Sequence, residues 1–171
     1  MTPSLQVPPA PPAWASQLSE FRTWDWSSVP PLSPFIVANG SRLADHTTTA
    51  RVCADSYALY TRFDCVDSDI WGTYTERDDP IYDEEVVEVF LSPGAATPTS
   101  YYEFEISPTG VLFDALIENP LRSDAEIVVK REWDCDGIRW AAERNDDRQH
   151  WWATLVLPWA AFAVPEPFPS T

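Results

Sequence analysis

Carboxylates crowd one short stretch of the sequence, residues 64–88, which contains ten Asp and Glu side chains and a single arginine, Arg77. Calcium ions take about six to eight such hard oxygen ligands. Four aspartates could converge from adjoining loops and are the candidate ligands: Asp67, Asp69, Asp78 and Asp79. The alternative is a solvated acidic edge, because the spacing is not that of an EF-hand and density alone does not make ligands converge.

A second set of carboxylates falls on predicted strands. Glu88 lies between Val86 and Phe90 on one strand face, and a carboxylate among apolar neighbours is costly to bury unless it is paired. On the next predicted hairpin, a two-residue turn at Pro108-Thr109 would set Phe104 opposite Phe113 on a core face.

The other face of that hairpin would then carry Glu105 and would place Glu103 opposite Asp114. Like charges in this position destabilise a ladder unless a cation, an arginine or a hydrogen-bonding ligand lies between them. This polar face is therefore predicted to line a cleft.

Catalysis by these carboxylates is one interpretation, since Glu88 and Glu105 could act as the acid and base of a glycosidase. Carboxylates on a lectin-like sheet are equally well explained as acceptors for sugar hydroxyls. Neither His46 nor His150 has a nucleophile motif nearby, and the spacing of cysteine and histidine does not match a zinc site. The sequence therefore predicts a binding protein and not an enzyme.

Overall charge and composition narrow the class of ligand. The 171 residues carry 11 Lys and Arg against 27 Asp and Glu, and the net charge of −16 repels nucleic acids and anionic membranes. The sequence contains no glycine-rich phosphate loop and no apolar stretch near the ~20 residues of a membrane span. Nine tryptophans, within 13% aromatic residues, suit sugars or cations. We expect a glycan partner, no nucleic acid and no membrane insertion.

The cysteines are predicted to be free and buried. A turn at Asp55-Ser56 would place Cys53 and Cys65 on opposite faces of a hairpin, which disfavours a disulfide between them. The start of the sequence has neither the basic nor the apolar segment of a signal peptide. As written, the chain is predicted to be cytoplasmic; as a fragment of a larger exported protein it would be extracellular.

The predicted fold class is all-β, a two-layer antiparallel β-sandwich, because short runs rich in β-branched and aromatic residues recur without a helical period. The proline-rich composition of residues 1–13 predicts a tail or linker. Residues 14–171 are predicted to form a single domain. Strands are predicted at 35–39, 47–54, 57–66, 69–75, 85–91, 101–107, 110–117, 126–133, 138–143 and 150–157. The predicted core comprises Phe63, Val87, Val89, Phe104, Ile106, Val111 and Phe113.

Several of these segments resemble a known family. The runs RVCADSYALYTRFDCVDSDIWGTYTERDDPIYDEEVVEVFL and YYEFEISPTGVLFDALI, followed by WDCDGIRWA and WWATLVLPWAAF, are similar to family 9 carbohydrate-binding modules, β-sandwiches related to DOMON domains. The resemblance covers about residues 21–163. It implies two aromatic rings that clamp a glycan end, polar residues beneath them, and calcium ions that brace the fold.

The resemblance also implies site residues in this chain. Tyr82 falls at the first clamp ring, Glu88 at a binding glutamate and Ser107 at a hydroxyl-binding position. If residues 82–88 are extended, Tyr82 and Glu88 share a face. Glu105 departs from the family pattern, which has an arginine there.

The second clamp ring of the family lies beyond the IPW-like turn, where this chain stops at VPEPFPST. Three alternatives remain open: the last strands are absent, a partner chain or domain completes the sheet edge, or Trp71 or another tryptophan supplies the ring.

The leading hypothesis is a non-catalytic sugar-binding module. Tyr82 and Trp71 would stack on the sugar, while Glu88, Glu105 and Arg77 would bind its hydroxyls. The rival is a structural or protein-interaction domain on the same scaffold with a decayed sugar site. The haem-binding DOMON branch uses Met and His ligands, and because the only methionine is Met1 no haem is expected.

Overall fold

Two antiparallel sheets of four strands each make up the computed structural model, which describes residues 5–94, 98–120 and 127–162. The strand order is β1-β2-β8-β7 in the first sheet and β3-β4-β5-β6 in the second. The strands are β1 (Thr48–Ala54), β2 (Ala58–Val66), β3 (Val87–Leu91), β4 (Ser100–Ile106), β5 (Leu112–Glu118), β6 (Val128–Lys130), β7 (Arg139–Asn145) and β8 (His150–Pro158). The predicted two-layer antiparallel β-sandwich is confirmed.

In the described part of the chain, helical structure consists of short 3₁₀ segments. They lie at Trp14–Ser16, Leu18–Thr23, Ile81–Asp83, Asp146–Arg148 and Trp159–Ala161. Among the helices of the described residues, none has the length and apolar character needed to cross a membrane.

The main core fills the space between the two sheets. On β2, Leu59, Phe63 and Cys65 point inward at alternate positions, as strand periodicity requires. Val87, Phe104 and Ile106 meet them from the second sheet, with Val89 partly buried beside them. Of the predicted core, Phe63, Val87, Val89, Phe104 and Ile106 are confirmed in this position.

The N-terminal segment covers the outer face of the first sheet. Trp14 stacks on Trp24 with ring centroids 4.3 Å apart, and Tyr60 of β2 packs beneath both rings. The main chain of Pro8 and Ala10 hydrogen-bonds with Ala54 at 3.0 and 2.7 Å. The domain boundary at residue 14 stays a prediction, but pairing with β1 already begins before it.

The β1–β2 hairpin turns later than predicted. Ala54 pairs with Leu59, and the Asp55 carboxylate accepts the amides of Tyr57 and Ala58, which extends the turn beyond Asp55-Ser56. The pairing differs by two residues from the predicted register, so every side chain keeps its face. All three cysteines are buried free thiols, as predicted, and burial raises the pKa of Cys53 and of Cys65 to about 12.

The β4–β5 hairpin differs from prediction by one residue. Ser107 pairs with Val111 across a three-residue turn, Pro108-Thr109-Gly110, in which Gly110 has a φ of 86°. Glycine takes this left-handed conformation without steric cost, and such three-residue turns are common in hairpins. The predicted two-residue turn was therefore wrong.

This slip moves β5 to the opposite alternation. Phe113 lies opposite Glu105, not opposite Phe104 as predicted. Asp114 lies opposite Phe104, not opposite Glu103. Val111 and Phe113 are buried, but in a cluster on the outer side of the second sheet, so their predicted place between the sheets was wrong. Asp114 takes the inward position and is fully buried.

Two predicted strands do not form. Residues 35–39 contribute a single bridge, Ile36 with Leu43. Residues 69–75 pair with no strand, because amides in this segment donate to side chains instead: Trp71 to Glu85 and Thr73 to Glu84. Of the predicted strand 126–133, residues 128–130 are confirmed, and residue 126 lies outside the described residues.

The buried Asp114 provides a test of this register. Its carboxylate accepts from Arg77 at 2.7 Å and from the Cys135 amide at 2.7 Å. Asp114→Ala leaves a partly buried arginine and a buried amide without this partner, and we expect it to lower the free energy of unfolding by about 3–5 kcal/mol in urea denaturation.

Asp134→Ala is the matched control, because Asp134 also pairs with Arg77 at 2.7 Å but its side chain is 62% exposed. We expect a loss below about 1 kcal/mol for this variant. Equal losses for the two variants would contradict the inward placement of Asp114.

Candidate functional site

Three glutamates meet on the outer face of the second sheet. Glu88 of β3 lies directly opposite Glu105 of β4, and Glu103 lies two residues before Glu105 on the same face. One carboxylate oxygen from each of the three lies within 4.8 Å of the others. The outer sheet face, as we call the surface formed by these glutamates with Tyr82 and Phe113, is the candidate site.

Burial decreases across the three carboxylates from Glu105 to Glu88. Glu105 is fully buried, Glu103 is half-buried and Glu88 is exposed to solvent. Burial, contact with Glu103 and repulsion from Glu88 hold the pKa of Glu105 well above its usual range. Burial also raises the pKa of Glu103 and of Glu88.

No N–H or O–H donor from the described residues reaches either carboxylate oxygen of Glu105. Its available partner is the Glu103 carboxylate, and two ionised carboxylates cannot hydrogen-bond each other. Burial, first, and the nearby Glu103 carboxylate, second, therefore favour the protonated form of Glu105.

An aromatic pair and an arginine lie beside these carboxylates. Tyr82, 40% exposed, packs edge-on against Phe113 with ring centroids 5.5 Å apart. The Arg131 guanidinium lies over both rings, 5.5 and 5.7 Å from their centroids, and donates to the Tyr82 hydroxyl. The site thus combines the half-exposed Tyr82 ring, the carboxylate cluster and the long donor side chain of Arg131.

Tyr82 reaches this face by a route that the sequence did not predict. Residues 81–83 form a 3₁₀ turn and β3 begins at Val87, so an extended 82–88 segment was wrong. Ile81, fully buried, anchors the turn on the sheet beside Phe113. The contact with Phe113, and not strand alternation, places Tyr82.

A second carboxylate cluster lies elsewhere and already contains a cation. Asp78, Asp114 and Asp134 each have an oxygen within 4.8 Å of the others. Arg77 pairs with Asp114 and Asp134 at 2.7 Å, and its guanidinium lies 5.7 Å from the Trp140 ring centroid. The structure therefore places Arg77 in this cluster and not with the three glutamates.

The remaining sequence-predicted sugar contacts lie apart or are engaged. Ser107 is buried in the β4–β5 turn, where its hydroxyl accepts from the Val111 amide at 3.1 Å and contacts the Thr109 hydroxyl. Trp71 is 46% exposed in the loop before β3. The ring in contact with Tyr82 is Phe113, so within the described residues Trp71 does not pack on Tyr82.

Of the four predicted calcium ligands, Asp78 alone joins a cluster. Asp67 accepts from the amide of Asp69 and lies 3.4 Å from His46. Asp79 accepts from the amides of Thr75 and Glu76. The structure does not bring the four aspartates together, and calcium in these loops stays a prediction.

A groove runs along β3 next to the outer sheet face. It has a volume of about 620 Å³, and Glu88 and Phe90 line it together with Phe35 and Ile36 from the loop before β1. Glu88 therefore borders both the groove and the carboxylate cluster.

Sequence reasoning missed two residues of this face. Phe113 was assigned to the core, although a glycine after Pro108-Thr109 is the signal for a three-residue turn. Arg131 follows the short strand β6, and no local pattern links it to Tyr82, 49 residues away in the sequence.

Comparisons with known proteins give three findings. Residues 45–166 match the model of Carbohydrate-binding family 9. An extracellular protein of Arthroderma benhamiae is 28% identical over an alignment 175 residues long. The alignment covers 96% of this chain and 70% of the relative.

The third finding concerns the fold. A crystal structure from Bacteroides uniformis, of a protein proposed to bind carbohydrate, superposes with a TM-score of 0.59 at 14% identity. The match covers 95% of this chain and 70% of that chain. At this identity the likeness supports the fold alone.

The raised pKa of Glu105 predicts how stability depends on pH. A buried acid with a raised pKa in the folded state stabilises the fold fully below its unfolded pKa of about 4.3, and this contribution is lost as pH rises through the folded pKa. Glu105→Gln has no charge to bury. We expect the difference in melting temperature, variant minus wild type, to grow from about pH 4 to about pH 8 in EDTA.

Glu143→Gln on β7 is the control. Glu143 is exposed, and the substitution changes a glutamate to the same amide as Glu105→Gln does. Its difference in melting temperature should stay flat across the same range. Parallel curves of melting temperature against pH for Glu105→Gln and wild type would show that the pKa of Glu105 is not raised in the folded state.

Proposed function

Because this chain belongs to carbohydrate-binding family 9, we propose that it is a non-catalytic module that binds a glycan on the outer sheet face. The observation that carries the proposal is the convergence of a half-exposed ring, Tyr82, with three carboxylates on one side of the β3–β6 sheet. Rings that stack on sugar C–H faces and acceptors that bind hydroxyls are the two contacts that a glycan needs.

The chemistry assigns a role to each group. Tyr82 offers its ring to a pyranose, and Glu88 and Glu103 accept hydroxyl protons at the open side of the cluster. Arg131 supplies donors near the same ring once it turns away from the Tyr82 hydroxyl. From the turn after β6, it thereby replaces the positive charge that the resemblance led us to expect where Glu105 stands.

Affinity should be weak. One ring stacked on a sugar contributes about 1 kcal/mol beyond the hydroxyl contacts, which is consistent with dissociation constants of roughly micromolar to millimolar. Modules of this affinity gain from being linked to other binding or catalytic domains.

Hydrolysis by the paired glutamates is disfavoured by burial. A glycosidase acid must reach the glycosidic oxygen, whereas both carboxylate oxygens of Glu105 are closed off from solvent. We therefore assign hydroxyl binding to the exposed Glu88, and no catalytic role to the pair of Glu88 and Glu105.

The extracellular relative favours an exported setting for this module over the cytoplasmic one predicted from the sequence. Glycan polymers are met mainly outside cells, so this setting agrees with the proposed ligand. The partner chain predicted to complete the C-terminal edge concerns residues 163–171, which lie outside the described residues.

A structural or protein-interaction domain is the second candidate, and Arg131 is the observation that favours it. The guanidinium covers the rings of Tyr82 and Phe113, where a sugar would stack. If wild type and Arg131→Ala both bind no glycan in a broad oligosaccharide screen, the second candidate replaces the first.

Replacing Tyr82 tests the stacking role. Tyr82→Ala should weaken glycan binding at least about tenfold, which corresponds to ~1.4 kcal/mol, in a titration followed by tryptophan fluorescence. Stability should fall by only about 1 kcal/mol, because a ring that is 40% exposed leaves no closed cavity.

Tyr57→Ala is the matched control, since Tyr57 is 39% exposed on the β1–β2 turn of the first sheet. It should leave binding unchanged. If Tyr82→Ala unfolds the domain, or leaves binding at the level of Tyr57→Ala, the stacking assignment fails.

Glu88→Gln tests the carboxylate role. The amide keeps an acceptor but loses the charge that strengthens hydroxyl contacts, so binding should weaken about three- to tenfold. The melting temperature at pH 7 should hold or rise, because the substitution removes repulsion on Glu103 and Glu105. Unchanged binding would exclude Glu88 from the site.

A further inference from the structure

We propose that Glu88, Glu103 and Glu105 form a binding site for a divalent cation, Ca²⁺, on the outer sheet face. The first observation is their spacing, with one oxygen from each residue within 4.8 Å of the others. Oxygens that ligate calcium at about 2.3–2.6 Å are separated by up to about 5 Å when they lie on opposite sides of the ion. The three carboxylates therefore need little movement to share one ion.

The second observation is the state of Glu105. This side chain is fully buried, and no donor of the described residues reaches either of its oxygens. A buried carboxyl without a donor is costly to keep in a fold unless a ligand satisfies it. Its oxygens lie within reach of Glu88 and Glu103, so the ligand that satisfies Glu105 would sit among all three.

The other acidic cluster shows what charge compensation within the chain looks like. There Arg77 pairs with Asp114 and Asp134 at 2.7 Å each. Arg131, the cation nearest to the glutamates, is instead held over Tyr82 and Phe113 and forms no ion pair with the described carboxylates. Arg131 therefore acts on Glu105 through its charge alone. No ion pair of the described residues reaches the glutamate cluster, and an external cation would take that place.

The size of the occupant favours a bare ion. The alternative occupant is the ammonium group of an amino sugar. Because the Glu105 oxygens are closed to solvent, such a group could reach them only with its sugar ring pressed against the sheet. A dehydrated calcium ion needs no such space, and calcium accepts carboxylates with one or both oxygens in flexible geometries. Because calcium binds ionised carboxylates, binding would release the proton of the Glu105 carboxyl.

The exposed position of Glu88 leaves one side of the ion open. Water or ligand hydroxyls would complete the coordination there, next to the Tyr82 ring. This last step rests on the proposed glycan-binding function: the ion would present itself to sugar hydroxyls, whereas the ion site as such does not depend on a sugar.

The test is calcium titration of the full chain after removal of metals with EDTA, by calorimetry and by terbium luminescence. Wild type should bind one Ca²⁺ at the cluster and release protons, so the measured heat should change with the ionisation enthalpy of the buffer. Glu103→Gln and Glu88→Gln should each weaken this binding at least tenfold. Asp79→Asn, which removes a carboxylate in the loop before β3, should leave it unchanged.

Each contrary result overturns the site. No calcium binding by wild type, or equal binding by the glutamate variants, excludes it, and loss of binding in Asp79→Asn alone moves the ion to the loops. Binding of glucosamine in a Glu103-dependent manner without calcium binding would identify an amine as the occupant. Circular dichroism checks folding, and should Glu103→Gln fail to fold, the exposed Glu88→Gln decides.

Glycan titration in calcium and in EDTA separates the two proposals. Calcium binding without any glycan binding contradicts the proposed function and leaves the ion site standing. Glycan binding in EDTA by a chain that binds no calcium contradicts the ion site and leaves the function standing.

Discussion

The left-handed conformation of Gly110 sets the arrangement on which the site depends. Because side chains alternate with a period of two, the single residue that this glycine adds to the β4–β5 turn decides which face every β5 side chain takes. With this register, Asp114 points to the core and Phe113 points to the outer sheet face. The other register would have put a carboxylate beside Glu103 and removed the ring on which Tyr82 packs.

The two carboxylate clusters show two solutions to the same electrostatic problem. Asp114 is buried with Arg77 and the Cys135 amide, so its charge is matched by the chain itself. Glu105 is buried without a donor, and burial raises its pKa so that the neutral form is favoured. The two clusters thus differ in how the buried charge is compensated: Arg77 neutralises Asp114, whereas Glu105 has no ion-pair partner among the described residues.

The two outer faces of the sandwich have different roles. The N-terminal segment seals the first sheet with Trp14 and Trp24, so much of the tryptophan content serves packing. Among residues 5–94, 98–120 and 127–162, the second sheet is covered only in part, by the 3₁₀ turn that carries Ile81 and Tyr82. An open face with half-buried polar groups remains there, which is where a family of binding modules would be expected to hold its ligand.

The sequence by itself determined the sandwich, the free cysteines and the inward faces of β2, β3 and β4, since alternating apolar residues such as Phe104 and Ile106 encode them locally. The predicted register at the Asp55 turn was off by two residues, but an even shift leaves every side chain on its predicted face. The tertiary structure decided the rest. The left-handed conformation of Gly110 decides which face Phe113 takes. The contact of Arg131 with Tyr82 depends on how segments distant in the sequence fold over the sheet. The clustering of three glutamates depends on the pairing of β3 with β4, which no local pattern specifies.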